Sequence, residues 1–360
     1  MTDAKRQEIL AKNQKLIDMV IERARADFPE DIALIGLTGS FGTGDYHEKS
    51  DLDLIIVNTT PRGWEIGCCF ILDDVGYDIY CTPWEPRIEA QSKLETPFVS
   101  GLIDLQVLYC AGEEHRERLE AYRQRALELL ARPIGKDCLE RARTSLDAAK
   151  RHCAETMLAE DVGAVRYGAG GVASNVLYAL TSMNNTYRKG GIKRYLEETL
   201  SYRYLPEGFR DSYMAVLQAD GVEEMRRAAV ALLKGVTDLF DAMYREFVPK
   251  PNPTADSLRG TYEELWCNCR NKVLASTASG DVSYAYHAAW DAQSYLDEMA
   301  QLMGTETYDL MKHFDARNLG SFRDGFLQAM DEYLAECNEA GVEIANFASL
   351  EDVYNRFMDK

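Results

Sequence analysis

Two short apolar runs bracket the most informative stretch of this chain. The run Ile32-Ala33-Leu34-Ile35-Gly36-Leu37 reads as a buried strand and stops at a glycine-rich turn, Thr38-Gly39-Ser40-Phe41-Gly42-Thr43-Gly44. A polar stretch follows, and then Ser50-Asp51-Leu52-Asp53-Leu54-Ile55 opens a second apolar run. Gly39 and Ser40 close a strand and open a helix, so free backbone N–H groups there are placed to hold a phosphate, with the Ser40 hydroxyl as a further donor. Asp51 and Asp53 are two apart at a strand start, which puts both carboxylates on one face. Two carboxylates side by side repel unless a hard cation such as Mg²⁺ lies between them.

Two further runs, 66–72 and 75–81, joined by Asp73-Asp74, read as a hairpin. Asp78 falls in the middle of the second, among Tyr77, Ile79 and Tyr80, where a carboxylate is expected to be buried and in need of a partner. A metal shared with Asp51 and Asp53 would supply one. Three carboxylates and a phosphate-holding turn make a site for two-metal phosphoryl or nucleotidyl transfer.

Gly39-Ser40, with Asp51-Leu52-Asp53 beginning eleven residues after the serine, resembles the signature of the DNA polymerase β-like nucleotidyltransferase superfamily. The Asp78 strand is similar to the one that carries that superfamily's third metal ligand. The resemblance spans roughly residues 30–110. It implies Asp51, Asp53 and Asp78 as catalytic metal ligands for two Mg²⁺ ions, with ATP or another nucleoside triphosphate as co-substrate.

The remaining sequence changes character. After residue 113 strand signals fade, and stretches rich in Ala, Leu, Glu and Arg predict helices over 113–131, 136–159, 162–187, 192–200, 211–218 and 222–247. Pro249-Lys250-Pro251-Asn252-Pro253 reads as a stiff linker, and 254–360 is again helical, with breaks expected near Gly280, Gly304, Gly320 and Gly341. The expected architecture is α+β: a small mixed-sheet core over 1–112, a helical bundle over 113–248 and a second helical module over 254–360. That last module is expected either to shape an acceptor pocket or to form a surface for a homodimer.

A helical region after such a core resembles the antibiotic-modifying branch, the kanamycin and streptomycin nucleotidyltransferases. That likeness implies transfer of AMP from ATP to a hydroxyl of a small molecule, with a carboxylate as general base, for which Asp147 and Glu155 are the candidates. Proteins modified on a side chain, and a regulator that binds nucleotide without turnover, are the alternatives.

Charge bears on the acceptor. The chain holds 59 acidic and 40 basic side chains, net −19, spread along its length. Nucleic-acid binding draws on Lys and Arg against phosphates, so the balance argues against a nucleic-acid partner and favours a cationic small molecule. The densest basic patch is Tyr187-Arg188-Lys189-Gly190-Gly191-Ile192-Lys193-Arg194. Lys189 and Lys193 are candidates to clamp a triphosphate, against the simpler reading of a helix end capped by glycine. His47, in the loop before Asp51, is a candidate to line the site. Nine cysteines show no zinc spacing and suggest reduced thiols. No signal-peptide pattern and no membrane-length apolar run is present, so a cytoplasmic location is expected.

Overall fold

The computed structural model describes residues 1–358. The fold is α+β: a mixed five-stranded sheet near the N-terminus followed by a long run of helices. The chain divides into two compact units, Met1–Val248 and Pro249–Lys360, and the break falls at the proline-rich segment.

In the first unit, helix α1 (Asp3–Asp27) precedes β1 (Ile32–Leu37), and the five-residue helix α2 (Gly39–Thr43) follows it. Then come β2 (Leu54–Asn58), the hairpin β3 (Cys68–Leu72) and β4 (Val75–Pro83), the short helices α3 (Glu89–Ser92) and α4 (Ser100–Ile103), and β5 (Gln106–Cys110). The strand order is β3-β4-β2-β1-β5. Among the described residues only β2 and β4 run parallel; the other three pairings are antiparallel.

Alternation sorts the side chains. Leu54 and Ile56 of β2, with Tyr77, Ile79 and Cys81 of β4, pack beneath Ile17, Val20 and Ala24 of α1. Ile55 and Val57 face the other way, onto Trp84, Leu102 and, from helix α5 (Glu113–Leu130), Leu119 and Ala126. A sheet covered on both faces explains why β1 and β2 read as continuous apolar runs rather than alternating ones.

Several boundaries differ from the sequence reading. The first hairpin strand begins at Cys68 rather than Ile66, because Pro61–Ile66 forms a 3-10 turn with proline at its start. The hairpin turn itself holds, with Asp73 (φ 52°) and Asp74 (φ 57°) both left-handed, as a two-residue turn between twisted strands requires. Because β2 begins at Leu54, Asp51 and Asp53 stand in its lead-in.

Helices α6 (Lys136–Leu158), α7 (Val162–Met183), α9 (Phe209–Gln218) and α10 (Val222–Phe247) enclose the helical core of this unit, around Leu146, Val172, Val176, Leu180 and Val236. The helix expected to reach residue 187 ends at Met183, because Asn185 turns left-handed (φ 44°). The Asn185 amide then donates to the carbonyls of Leu129 and Arg132 at 3.0 and 2.9 Å and accepts from Arg141 at 2.8 Å. One buried side chain thus ties the end of α5 to α6 and α7. The stretch 192–200 is a 3-10 turn, Ile192–Arg194, followed by α8 (Tyr195–Leu200).

The second unit holds α11 (Thr261–Leu265), α12 (Asn271–Ser279), α13 (Val282–Met303), α14 (Leu319–Glu339) and α15 (Leu350–Met358). Its core gathers Leu258, Leu265, Val273, Leu296, Phe322, Phe326 and Tyr333. Gly280, Gly304 and Gly341 all take positive φ at helix ends. Gly320 breaks nothing: it is the second residue of α14, and the interruption lies before it.

Candidate active site

The site begins where β1 ends. Gly39 has φ +66°, a conformation that costs glycine nothing, and it turns the chain from strand into α2. A second reason for glycine is space. A Cβ at position 39 would lie 1.8 Å from Asp53 Oδ2, so the carboxylate fills the volume a side chain would need. The Thr38 N–H donates to the Asp53 carbonyl at 3.0 Å, locking the turn to the lead-in of β2.

Asp53 is half-buried there. Burial and the nearby Asp51 charge raise its pKa above the ordinary carboxylate range, and the Ser40 backbone N–H pulls the other way. A pair of carboxylates that resist joint ionisation is an electrostatic problem a cation would relieve.

Asp78 reaches the same face by register. Ile55 pairs with Tyr80 in the parallel ladder, and continuing that register two residues back sets Asp53 beside Asp78. Asp78 is exposed, not buried as its apolar neighbours suggested: Tyr77 and Ile79 point to α1 and Asp78 points away. Its Oδ1 accepts from the Cys69 thiol at 3.0 Å across the hairpin. Among the described residues no three His, Cys, Asp or Glu side chains gather tightly enough to form a metal cluster. The structure brings Asp51 and Asp53 together at the glycine turn, with Asp78 on the adjacent strand β4.

Tyr80, two residues beyond Asp78 and so on the same face, has its pKa raised first by the partial burial of its hydroxyl and then by the charges of Asp53 and Asp78, while Arg87 opposes them. Cys69 and Tyr80 were not singled out from the sequence. Counting back from the two-residue turn at Asp73-Asp74 pairs Cys69 with Asp78, and strand alternation sets Tyr80 beside them, so both signals were present.

The basic patch returns to the sheet at two places. The Tyr187 hydroxyl donates to Asp104 at 3.0 Å. Lys193 and Arg194 both pair with Asp45, just past α2, at 3.2 and 3.0 Å, and these contacts hold the Asp45 carboxyl down at about 2. Lys193 is thus engaged by a carboxylate. Lys189 makes no ion pair among the described residues and stands over the Tyr187 ring at 5.7 Å, while its N–H donates to Glu198 at 3.1 Å. His47 shapes its own loop, accepting from the Lys49 N–H at 3.1 Å. Asp147 and Glu155 are tied within α6, to Lys150 and His152.

Residues 17–98 match the family model of the nucleotidyltransferase domain. That span contains the glycine turn and all three aspartates. Among solved structures, a nucleotidyltransferase-like protein from Exiguobacterium sibiricum 255-15 aligns over 86% of this chain and 91% of its own, with 11% identity and a TM-score of 0.33. No curated protein sequence matches the chain. No helix among the described residues is long and apolar enough to cross a membrane.

Proposed function

We propose that this protein is a metal-dependent nucleotidyltransferase that moves a nucleoside monophosphate, AMP from ATP, onto a hydroxyl of a small cationic acceptor of the aminoglycoside kind, releasing pyrophosphate. The observation that carries this reading is the seating of the Asp53 carboxylate against Gly39, which couples a metal-binding side chain to a phosphate-binding turn.

The donor set suits a hard divalent cation. Asp51 and Asp53 offer carboxylate oxygens only, and their mutual repulsion calls for positive charge. Asp51 and Asp53 would hold Mg²⁺, and Asp78 would join a second ion by leaving the Cys69 thiol. When bound, the metal neutralises triphosphate charge and acidifies the attacking hydroxyl. The chain's own part is positional. The Gly39 N–H and the Ser40 hydroxyl would hold phosphate oxygens, while the Ser40 N–H on the Asp53 carboxylate keeps that side chain in register with the turn. Lys189 supplies charge to the triphosphate, and Lys193 does so once released from Asp45. The net charge of −19 favours a cationic acceptor.

A second reading, a regulator that binds nucleotide without turnover, draws on the Cys69–Asp78 contact, which occupies the third carboxylate. One assay separates the two. The full chain is incubated with Mg²⁺, each nucleoside triphosphate and a panel of aminoglycosides and lincosamides, and pyrophosphate is measured. Acceptor-dependent release that disappears in Asp53→Ala supports transfer. ATP binding with no release over the whole panel supports the regulator.

A further inference from the structure

A cavity of about 150 Å³ lies where α5 ends, α6 begins and the chain leaves α7. Arg132, Lys136, Asp137, Arg141 and Asn185 are among its walls. Sites for drug-sized molecules begin at roughly 300 Å³, so this one has room for a single small group. Its lining is cationic. Three basic side chains stand against one carboxylate, an excess of two positive charges in a chain whose net charge is −19.

Arg141 is half-buried, yet it makes no ion pair among the described residues. Its Nη2 donates to Asn185 Oδ1 at 2.8 Å and its Nη1 to the Asp137 carbonyl at 3.4 Å, both neutral oxygens of residues that line the cavity. These bonds fix the guanidinium at the cavity wall. The Asn185 amide nitrogen is committed to the carbonyls of Leu129 and Arg132, so that side chain cannot turn. Burial pushes the Arg141 pKa down, the Asp137 charge pulls it up, and the Arg132 charge pushes it down again. Two guanidinium groups are therefore close enough to oppose each other. The carboxylate does not settle the balance, because Asp137 is paired with Arg132 at 3.2 Å. Lys136 is exposed, and its ammonium has no partner among the described residues. A desolvated guanidinium without an opposite charge is costly. The start of α6 adds positive potential, since Gly135 brings no side chain to cap its first turn.

We infer that this cavity binds a single phosphate group, held by the guanidinium of Arg141 together with Arg132 and Lys136. A tetrahedral dianion matches both the excess of two charges and donors that come from three side chains. A carboxylate, planar and singly charged, matches neither. None of the lining residues belongs to the glycine turn or is one of its aspartates, so the inference does not depend on the proposed transfer reaction.

The test titrates inorganic phosphate, and separately glycerol 3-phosphate, into the full chain by isothermal titration calorimetry, in chloride buffer without Mg²⁺ or nucleotide. The expected result is saturable binding of phosphate that weakens about three- to tenfold in Lys136→Ala and about tenfold or more in Arg141→Gln. Asp137→Asn, which removes the one acid in the lining, should tighten binding severalfold. Lys136 and Asp137 are both exposed, so their variants keep the test open should Arg141→Gln fail to fold. Binding of phosphate alone assigns the free ion, and equal binding of the monoester assigns an esterified phosphate; both support the inference. No saturable binding of either compound would overturn it. So would affinity unchanged in both Lys136→Ala and Asp137→Asn, or affinity lost in Ser40→Ala, which would place the phosphate at the glycine turn.

Discussion

The Asp53 carboxylate occupies the space where a side chain at Gly39 would begin, with only 1.8 Å between Oδ2 and the position of a Cβ. Two sequence features fourteen residues apart are thereby one structural object. The glycine is required twice, once for its φ of +66° and once for the carboxylate it admits.

Gly39→Ala should therefore fail on both counts. A non-glycine residue in the left-handed region costs about 1–3 kcal/mol, and the displaced Asp53 loses its register with the turn. A urea melt should show a loss of that order, and pyrophosphate release should fall by about two orders of magnitude. A variant with normal turnover would separate Asp53 placement from the turn.

Asp53 also carries a pH signature. Its folded pKa lies above the ordinary aspartate value of 3.8, so the folded state binds this proton more tightly than the unfolded chain does. Ionising Asp53 thus costs stability at pH above the folded value, and the cost vanishes as pH falls towards 3.8. Metal-free Asp53→Asn should melt higher than wild type at pH 7, with the gap closing in acid. Mg²⁺ should raise the wild-type melting temperature, by up to ~2.7 kcal/mol of stability at a hundredfold excess over Kd, and leave the variant unmoved.

The Asp45 clasp gives a kinetic prediction. Lys193 and Arg194 hold Asp45, and its carboxyl stays ionised until pH approaches about 2, so the clasp persists throughout the neutral range. Asp45→Asn frees Lys193, while Arg194 keeps its pair with Glu197 at 2.8 Å, and should lower the KM for ATP about two- to fivefold without changing kcat. Lys189→Ala should raise that KM by a similar factor. An unchanged KM in Asp45→Asn would assign Lys193 to docking alone.

The second unit rests on a buried hydrogen bond. The Tyr333 hydroxyl, with its side chain fully buried, donates to Thr261 Oγ1 at 2.8 Å. Tyr333→Phe should cost about 1 kcal/mol in a denaturant titration while leaving the first unit's transition in place.

Much of the arrangement at the glycine turn was legible from local pattern. The run 32–37, the turn at Gly39 and the spaced aspartates follow from strand alternation and glycine geometry, both properties of a few consecutive residues. The hairpin at Asp73-Asp74 was legible for the same reason, as were helices such as α5 and α10. Burial was not. Asp78 read as an interior carboxylate because its neighbours are apolar, yet those neighbours face α1 while Asp78 faces outward to Cys69.

The sequence by itself determined an α+β chain with a carboxylate pair beside a phosphate-type turn, because periodicity and turn chemistry act over a handful of residues. Only the tertiary structure decided which partners those residues keep. Lys193 meets Asp45 across 148 positions, and Asn185 ties three helices together. Such contacts depend on which elements pack against each other, and no window of sequence carries that information.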